Sequence, residues 1–107
     1  MPERTETDFA VRSERLGEAL ILELSGELDL VSTREFELIL ASAMHSEADP
    51  VILDVAGLRF IDARGLGAIF QARAGSEHGD RLRIRSPRNQ VARMLRLSGI
   101  SNFVEPA

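Results

Sequence analysis

The spacing of apolar residues divides the chain into short strands and helices. Residues 8–13 alternate weakly between apolar and polar side chains, and every second residue from Leu20 to Leu24 is leucine. A repeat of two places successive side chains on opposite faces of an extended chain. We therefore expect two strands here, the second over Ala19–Leu24, joined by a turn near Glu14–Gly17.

The next segment has the spacing of a helix. Ser32-Thr33-Arg34-Glu35 has the form of a capping box, in which a hydroxyl and a carboxylate bind free backbone amides at a helix start. Apolar residues then recur three and four positions apart. They are Phe36, Ile39, Leu40, Ala43 and Met44. The pattern predicts a helix that packs this face on a sheet and ends before Pro50.

The middle of the chain predicts a buried strand followed by a second helix. Val51–Val55 is a short apolar run that includes only one acid, Asp54, and such runs are typical of an internal strand. Helical spacing resumes near Gly65, and Gly75 and Gly79 signal the end of the helix. Its expected face consists of Leu66, Ile69, Phe70 and Arg73.

The last third repeats this order. Arg81–Arg85 alternates strictly and predicts a strand, after which Ser86-Pro87 has the form of a cap and a first-turn proline for a third helix. Val91, Met94, Leu95 and Ser98 would lie on one side of that helix. Gly99 followed by Ile100 is typical of a Schellman ending. Phe103-Val104 is either a last short strand or an anchor for the tail.

This order of elements predicts an α/β fold. Two strands, then three helices that alternate with two further strands, give a mostly parallel, mixed sheet of four to five strands. A chain of 107 residues is the usual size of one domain, so we expect residues 1–107 to form a single domain whose first seven residues are flexible.

Composition removes several classes of chemistry. The chain has no cysteine, and all 13 of its basic residues are arginine. Disulfides, thiolate nucleophiles, lysine Schiff bases and P-loop lysines are therefore excluded. No apolar run approaches the ~20 residues of a membrane span, and the charged start lacks a leader's apolar core. We expect a cytoplasmic protein without a membrane partner or a cofactor.

The charge is unevenly distributed. Residues 1–54 hold 4 Arg against 13 acidic residues, whereas residues 55–107 hold 9 Arg against 4. The arginines of the basic half could contact an acidic partner, or the acidic half of a second copy in a homodimer. Two acids, Asp29 and Asp62, follow predicted strands, and partner sites in parallel sheets gather at the carboxyl ends of strands.

Three segments resemble STAS domains, above all those of bacterial anti-sigma factor antagonists. Val51–Gly67 reads VILDVAGLRFIDARGLG, Leu24–Asp29 reads LSGELD and Leu97–Ile100 reads LSGI. The resemblance implies a STAS fold that binds an anti-sigma factor, often a kinase-like ATPase regulator, and thereby frees a sigma factor. It also implies which residues contact the partner. They are Asp29, Asp62, Ala63, Arg64, Gly65, Leu66 and Gly67.

The resemblance breaks at one position. In that family the residue before Gly-Leu-Gly is typically a serine or threonine that the kinase phosphorylates, and here it is Arg64. Ala63 has no hydroxyl either, so the segment Asp62–Gly67 cannot accept a phosphate. Because a phosphate carries about −1.5 to −2 charges, the cationic Arg64 does not mimic the phosphorylated form. A cation at a helix start costs about 0.3–1 kcal/mol, so we expect its guanidinium to point outward or to pair with Asp29 or Asp62.

Structural roles are the alternatives at these positions. Gly65 and Gly67 could serve a tight turn and close helix packing, and Asp29 and Asp62 could each cap a helix. Asp54 could form a turn at the end of its strand. The two histidines, His45 and His78, lack the spacing of metal ligands, so we assign them no role.

Three other functions fit the sequence less well. Asp54 ends a strand like the aspartate of a phosphoacceptor receiver domain, but such a domain also needs a lysine. A nucleic-acid interface would need a stripe of exposed arginines, and the chain has no Tyr or Trp for base stacking. The stripe would consist of Arg81, Arg83, Arg85, Arg88, Arg93 and Arg96. An enzyme could use Asp29 and Asp62 as an acid–base pair, although nothing in the sequence indicates a pocket around them.

Overall fold

The computed structural model describes residues 8–105 of the chain, so the expected flexibility of residues 1–7 lies outside the described part. The strands are β1 (Ala10–Leu16), β2 (Ala19–Leu28), β3 (Val51–Ile61) and β4 (Leu82–Arg85). The helices are α1 (Thr33–His45), α2 (Ala63–Ala74) and α3 (Asn89–Leu97), with short 3-10 helices at Gly79–Arg81 and Ser101–Phe103. The predicted order of strands and helices is confirmed.

The strands form one mixed sheet in the order β1-β2-β3-β4. β1 pairs with β2 antiparallel, whereas β2, β3 and β4 are parallel neighbours. The predicted α/β fold with three helices is confirmed, and the sheet has four strands in the described residues. Phe103-Val104 adds only a single parallel bridge, between Val104 and Ile84.

One hydrophobic core lies between the sheet and its helices. α1 and α2 each connect neighbouring parallel strands in the same direction, so right-handed crossovers place both helices on one face. Phe36 and Leu40 of α1 are fully buried there, and the Phe36 ring meets Phe9 edge-on with ring centroids 6.1 Å apart. The predicted α1 face is confirmed, with Ala43 and Met44 also buried and Ile39 half-buried.

Local boundaries differ from the sequence predictions in the first half of the chain. The hairpin turn is Gly17-Glu18, with Gly17 at φ 63°, so β1 continues through the predicted turn. β2 likewise continues through Gly26, whose φ is 88° and whose place leaves no room for a side chain because Asp8 O lies 1.5 Å from the site of a Cβ. Long-range pairing therefore extends strands past residues that locally favour turns.

The start of α3 was also predicted wrongly. The helix begins at Asn89, after Ser86 at φ 61°, and no side chain caps it. Ser86 therefore belongs to the reversal that carries the chain from β4 towards β3. The predicted Schellman ending is confirmed, since Ile100 N donates to Leu95 O at 3.2 Å and Gly99 N to Arg96 O at 3.3 Å.

Arg81, the first residue of the predicted strand, is not part of β4. It lies in the 3-10 helix before β4, and its guanidinium donates to the carbonyls of Met44 and Ala48 and to that of Ser46 at 3.2 Å. These carbonyls belong to the last turn of α1 and to the connection between α1 and β3. Arg81 therefore ties this connection to the start of β4, because a guanidinium offers five donors in a fixed fork.

Candidate functional site

Two loops lie side by side at the carboxyl end of the sheet. The β2–α1 loop follows Leu28 and the β3–α2 loop follows Ile61, and these two residues are register partners. The backbone amide of Asp62 donates to the Leu28 carbonyl at 3.2 Å. The structure thus places Asp29 and Asp62 directly after paired residues, as the topology of parallel strands predicts.

Asp29 organises the β2–α1 loop. Its Oδ1 accepts hydrogen bonds from Val31 N at 3.0 Å and Ser32 N at 3.3 Å, and its carbonyl accepts from Thr33 N at 2.9 Å. Ser32 Oγ donates to the Glu27 carbonyl at 2.9 Å and does not cap α1. The predicted capping box is therefore wrong, because the serine hydroxyl is used by the preceding strand and Asp29 takes over the turn into the helix.

Asp62 is the N-cap of α2. Its Oδ1 accepts from Gly65 N at 3.0 Å, and the helix begins at Ala63, two residues before the predicted start at Gly65. A side-chain cap of this kind stabilises a helix by about 1 kcal/mol. The structure therefore confirms the structural alternative given for Asp62, that it caps a helix.

The two glycines of the β3–α2 segment differ. A Cβ on Gly65 would lie 2.9 Å from atoms of both Leu28 and Ile61, so the absence of a side chain lets α2 approach the ends of β2 and β3. A Cβ on Gly67 would meet no atom within 4 Å. Leu66 is buried in the core. Close packing therefore requires glycine at residue 65 but not at residue 67.

Arg64 lies exposed on the first turn of α2. Within residues 8–105 no ion pair joins it to Asp29 or Asp62, whose carboxylates accept backbone amides instead. The guanidinium therefore points outward, which is the first of the two arrangements expected from its position at a positive helix end.

Two exposed apolar residues beside these loops were not identified from the sequence. Leu30 and Val31 in the β2–α1 loop are 62% and 68% exposed. They belong to neither a strand nor a helix, and their signal in the sequence is that two apolar residues stand together between Asp29 and Ser32. We call Leu30 and Val31, together with Ala63 and Arg64, the loop surface.

Gln90 supports the β3–α2 loop from α3, and sequence reasoning missed it too. Its Oε1 accepts from Ile61 N at 3.0 Å and its Nε2 donates to Ile61 O at 2.9 Å. β4 ends opposite Asp54, so the last residues of β3 extend beyond their neighbouring strand. The side-chain amide of Gln90 therefore binds the backbone N–H and C=O of Ile61, which a neighbouring strand would otherwise bind.

The residues that a receiver domain or a nucleic-acid interface would use lie outside these two loops. Asp54 lies inside β3 and not at the end of the strand. Its Oδ1 accepts a hydrogen bond from Ala56 N at 3.1 Å, beside an irregularity in the pairing of β3 with β2. The arginine stripe that a nucleic-acid interface would need is broken, since Arg81 binds backbone carbonyls and Arg85 lies 3.4 Å from Glu105. His45 Nδ1 lies 2.8 Å from the Ala41 carbonyl.

Residues 8–105 contain no group of three His, Asp or Glu side chains able to hold a metal ion. None of the helices formed by these residues has the length and apolar character needed to cross a membrane.

Structural comparisons find the same fold in regulatory proteins. The crystal structure of an anti-sigma factor antagonist from Mycobacterium paratuberculosis superposes with a TM-score of 0.85 and 14% identity over 94% of this chain and 88% of that chain. SpoIIAA of Bacillus, an anti-sigma factor antagonist, matches in its unphosphorylated form with a TM-score of 0.76 and 21% identity over 92% of this chain and 88% of that chain. At these identities the likeness concerns the fold.

The fold also occurs inside a larger protein. Murine Slc26a9, an anion transporter, matches with a TM-score of 0.69 and 18% identity over 90% of this chain and 17% of the transporter. No curated protein matches the sequence.

Family comparison agrees with the structural one. The model described as "Mlab, STAS domain" matches residues 11–105, which include all four strands except the first residue of β1, and all three helices. The resemblance to STAS domains drawn from the three sequence segments is confirmed, and this chain belongs to the STAS domain family.

Proposed function

We propose that this STAS domain is an anti-sigma factor antagonist of the bacterial cytoplasm. It binds an anti-sigma factor, or a kinase-like ATPase regulator of that kind, and so frees a sigma factor. It acts by binding and not by catalysis. Support comes from its family and from the fold it shares with proteins described as anti-sigma factor antagonists.

The loop surface is the proposed contact region. The observation that carries the proposal is that Leu30 and Val31 are 62% and 68% exposed on a loop whose backbone amides donate hydrogen bonds to the Asp29 carboxylate. Complete burial of a leucine or valine side chain stabilises a complex by about 1.5–3 kcal/mol. A loop ordered before binding loses little conformational entropy on binding, so most of that free energy is available for affinity.

The side chains of this region have different roles in the proposal. Arg64 and Ala63 contact the partner directly, beside Leu30 and Val31. Asp29, Asp62, Gly65 and Leu66 act through the shape of the two loops, because their polar atoms or side chains are used within the domain. Gly67, half-buried and with free space beside it, is assigned to the rim of the interface.

Control by phosphorylation in this region is proposed to be absent. Arg64 stands where the family's phosphoacceptor hydroxyl stands. The hydroxyls at the start of α1 are not substitutes, since those of its N-cap Ser32 and of Thr33 belong to residues that are 2% and 7% exposed and donate to the carbonyls of Glu27 and Asp29. A kinase could reach them only after the start of α1 had opened. The protein would therefore bind constitutively, or respond to its own abundance or to another input.

The test of partner binding is a pull-down from extract of the native cells. Wild-type protein is compared with Arg64→Glu and with Arg83→Glu, a matched charge reversal on β4 away from the loop surface. Mass spectrometry should identify an anti-sigma factor or kinase-like ATPase with wild type and Arg83→Glu, and its loss with Arg64→Glu. Retention of nucleic acid, or of no regulatory protein, would contradict the anti-sigma proposal.

The proposed loss of phosphoregulation has a separate test. Incubation of the captured kinase-like partner with labelled ATP should label Arg64→Ser but neither wild type nor Arg64→Ala. The alanine variant separates gain of a hydroxyl from loss of the arginine charge. Label on wild-type protein, or none on Arg64→Ser with a partner that is active on another substrate, would count against the assignment of residue 64.

A second candidate function is a STAS interaction module within a larger signalling assembly. The match to a short part of an anion transporter favours it, because the fold there covers only 17% of the larger chain. The pull-down distinguishes the two functions. Capture of one stable multiprotein complex, without an anti-sigma factor and unaffected by Arg64→Glu, would support the module.

A further inference from the structure

One free edge of the sheet is formed by β1, which has β2 on one side and no strand on the other within residues 8–105. Such an edge presents unpaired backbone donors and acceptors that can bind another strand. The geometry of the hairpin determines which backbone groups point to this edge, and the charges of β1 determine which strand is complementary to it.

The turn determines which backbone groups point outward. Gly17-Glu18 is a two-residue turn closed by Leu16 and Ala19, with φ 63° at Gly17 alone, which is the form of a type II′ turn. The residues flanking such a turn exchange backbone hydrogen bonds, and these bonded pairs then alternate along the hairpin. Leu16, Glu14, Arg12 and Ala10 therefore bond to β2. Val11, Ser13 and Arg15 direct their N–H and C=O groups to the open edge.

The charges of β1 are complementary to those of a second, antiparallel β1. If two copies pair about a two-fold axis at Ser13, Arg12 of each copy lies opposite Glu14 of the other, and Leu16 opposite Ala10. Both pairs lie on the sheet face that carries Glu23, because Arg12 and Glu23 are register partners. Cross-strand pairs of opposite charge stabilise antiparallel strands, and directly opposed like charges destabilise them.

Neighbouring registers lack this complementarity. An axis at Arg12, Glu14 or Arg15 would set each of these charged residues against its own copy. The Ser13 axis also agrees with the backbone, since Ser13 directs its donor and acceptor outward and can exchange both with its copy. Among the registers near the middle of β1, the charges and the hydrogen bonds agree on this one.

An apolar groove beside the same edge adds an independent observation. A groove of about 350 Å³ lies on the helix side, lined by Ser13 of β1, Leu20 and Leu22 of β2, and Leu38 and Ile39 of α1. Leu38 is 62% exposed there. A two-fold axis at Ser13 places this groove beside its copy, so that the exposed Leu38 side chains of both copies approach the joint between the sheets.

We propose that this edge is the interface between two copies of the chain, with β1 pairing antiparallel to the partner's β1 about Ser13. The result is a continuous eight-stranded sheet with the α1 helices of both copies on one face. The interface contains none of the residues of the loop surface, so a dimer would present two loop surfaces.

The test is the mass of the protein in solution and its response to charge exchange. Sedimentation equilibrium should give twice the monomer mass of 11.8 kDa for wild type. Arg12→Glu and Glu14→Arg should each weaken dimerisation by about tenfold or more, because each opposes like charges twice across the axis. The double variant Arg12→Glu/Glu14→Arg should restore the dimer, since its charges are again complementary.

One further variant tests the backbone pairing at the interface, and a measurement of the fold separates a loss of folding from a loss of association. Ser13→Pro removes the outward N–H without removing a bond to β2, and prolines are tolerated on edge strands, so a folded monomer is expected. Far-ultraviolet circular dichroism checks the fold of every variant. A monomeric wild type up to about 1 mM, or a double variant no more dimeric than the single ones, overturns the proposal.

Binding of the edge by residues 1–7 is the other outcome that the test distinguishes. A chain that begins at Asp8 should dimerise as wild type does. If wild type is monomeric and the shortened chain is dimeric, residues 1–7 and not a second copy bind the edge in the 107-residue chain, and the proposal is overturned.

Discussion

Replacing Gly65 with alanine should destabilise the domain, whereas the same replacement at Gly67 should stabilise it. Both residues lie in α2, two positions apart, and neither has a positive φ. Their surroundings differ: the new Cβ at residue 65 would lie 2.9 Å from Ile61 Cγ1 and from Leu28 Cγ, whereas at residue 67 no atom lies within 4 Å.

The magnitudes follow from two opposing effects. Alanine is about 1 kcal/mol more favourable than glycine inside a helix, and this gain applies at both sites. At residue 65 the added methyl stands about 0.6 Å inside the usual carbon–carbon separation. Leu28 and Ile61 are essentially fully buried, so they can yield little, and such overpacking costs about 1–3 kcal/mol. We expect a net loss of up to about 2 kcal/mol for Gly65→Ala and a gain of about 1 kcal/mol for Gly67→Ala.

Urea and thermal unfolding of the two variants measure this difference. A change of 1 kcal/mol shifts the Tm of a domain near this size by about 4–8 °C. The Tm of Gly67→Ala should therefore lie above that of wild type and the Tm of Gly65→Ala below it, with a difference of at least about 4–8 °C between the two variants. If Gly65→Ala raised the Tm as much as Gly67→Ala does, the ends of β2 and β3 would not be packed against α2 as described. A lowered Tm for Gly67→Ala would also contradict the reasoning.

Three further substitutions examine the supports around the loops, each by urea unfolding. Gln90→Ala leaves the Ile61 amide and carbonyl without their side-chain partners and should cost about 1–3 kcal/mol; an unchanged midpoint would show that water or another group replaces the amide. Arg81→Met removes the donors to three carbonyls at the end of α1 and in its connection to β3 and should cost about 2–3 kcal/mol, with Arg83→Met as the exposed control that changes stability by less than about 0.5 kcal/mol. Asp62→Ala removes the cap of α2 and should cost about 1 kcal/mol, while Asp62→Asn should retain most of it; equal losses would mean that the charge and not the cap matters.

The candidate site was predictable in position but not in detail. Asp29 and Asp62 follow strands, and parallel neighbours end at one edge, so their placement side by side follows from the order of elements. The carboxylates turn out to bind backbone amides of their own loops. The exposed pair Leu30 and Val31 was missed, because periodicity identifies apolar residues that will be buried and has no rule for those left outside.

Residues that connect distant segments were also beyond reach of the sequence. Gln90 reaches Ile61 across 29 positions and Arg81 reaches Ala48 across 33. Nothing near either residue indicates its partner. In a strictly alternating segment Arg81 looks like one more solvent-facing strand residue, yet it ties two connections together, because its long side chain reaches carbonyls that no strand or helix satisfies.

The sequence by itself determined the order of strands and helices, the buried face of α1 and the absence of a hydroxyl at Arg64. These properties follow from residue identity and from short-range spacing, because side chains return to the same face every 2 residues in a strand and every 3.6 residues in a helix. Only the tertiary structure decided where strands end, which acid caps which helix, and that β1 is left with an open edge. Those outcomes depend on backbone groups finding partners from distant parts of the chain, and this pairing is settled only when the sheet and its helices come together.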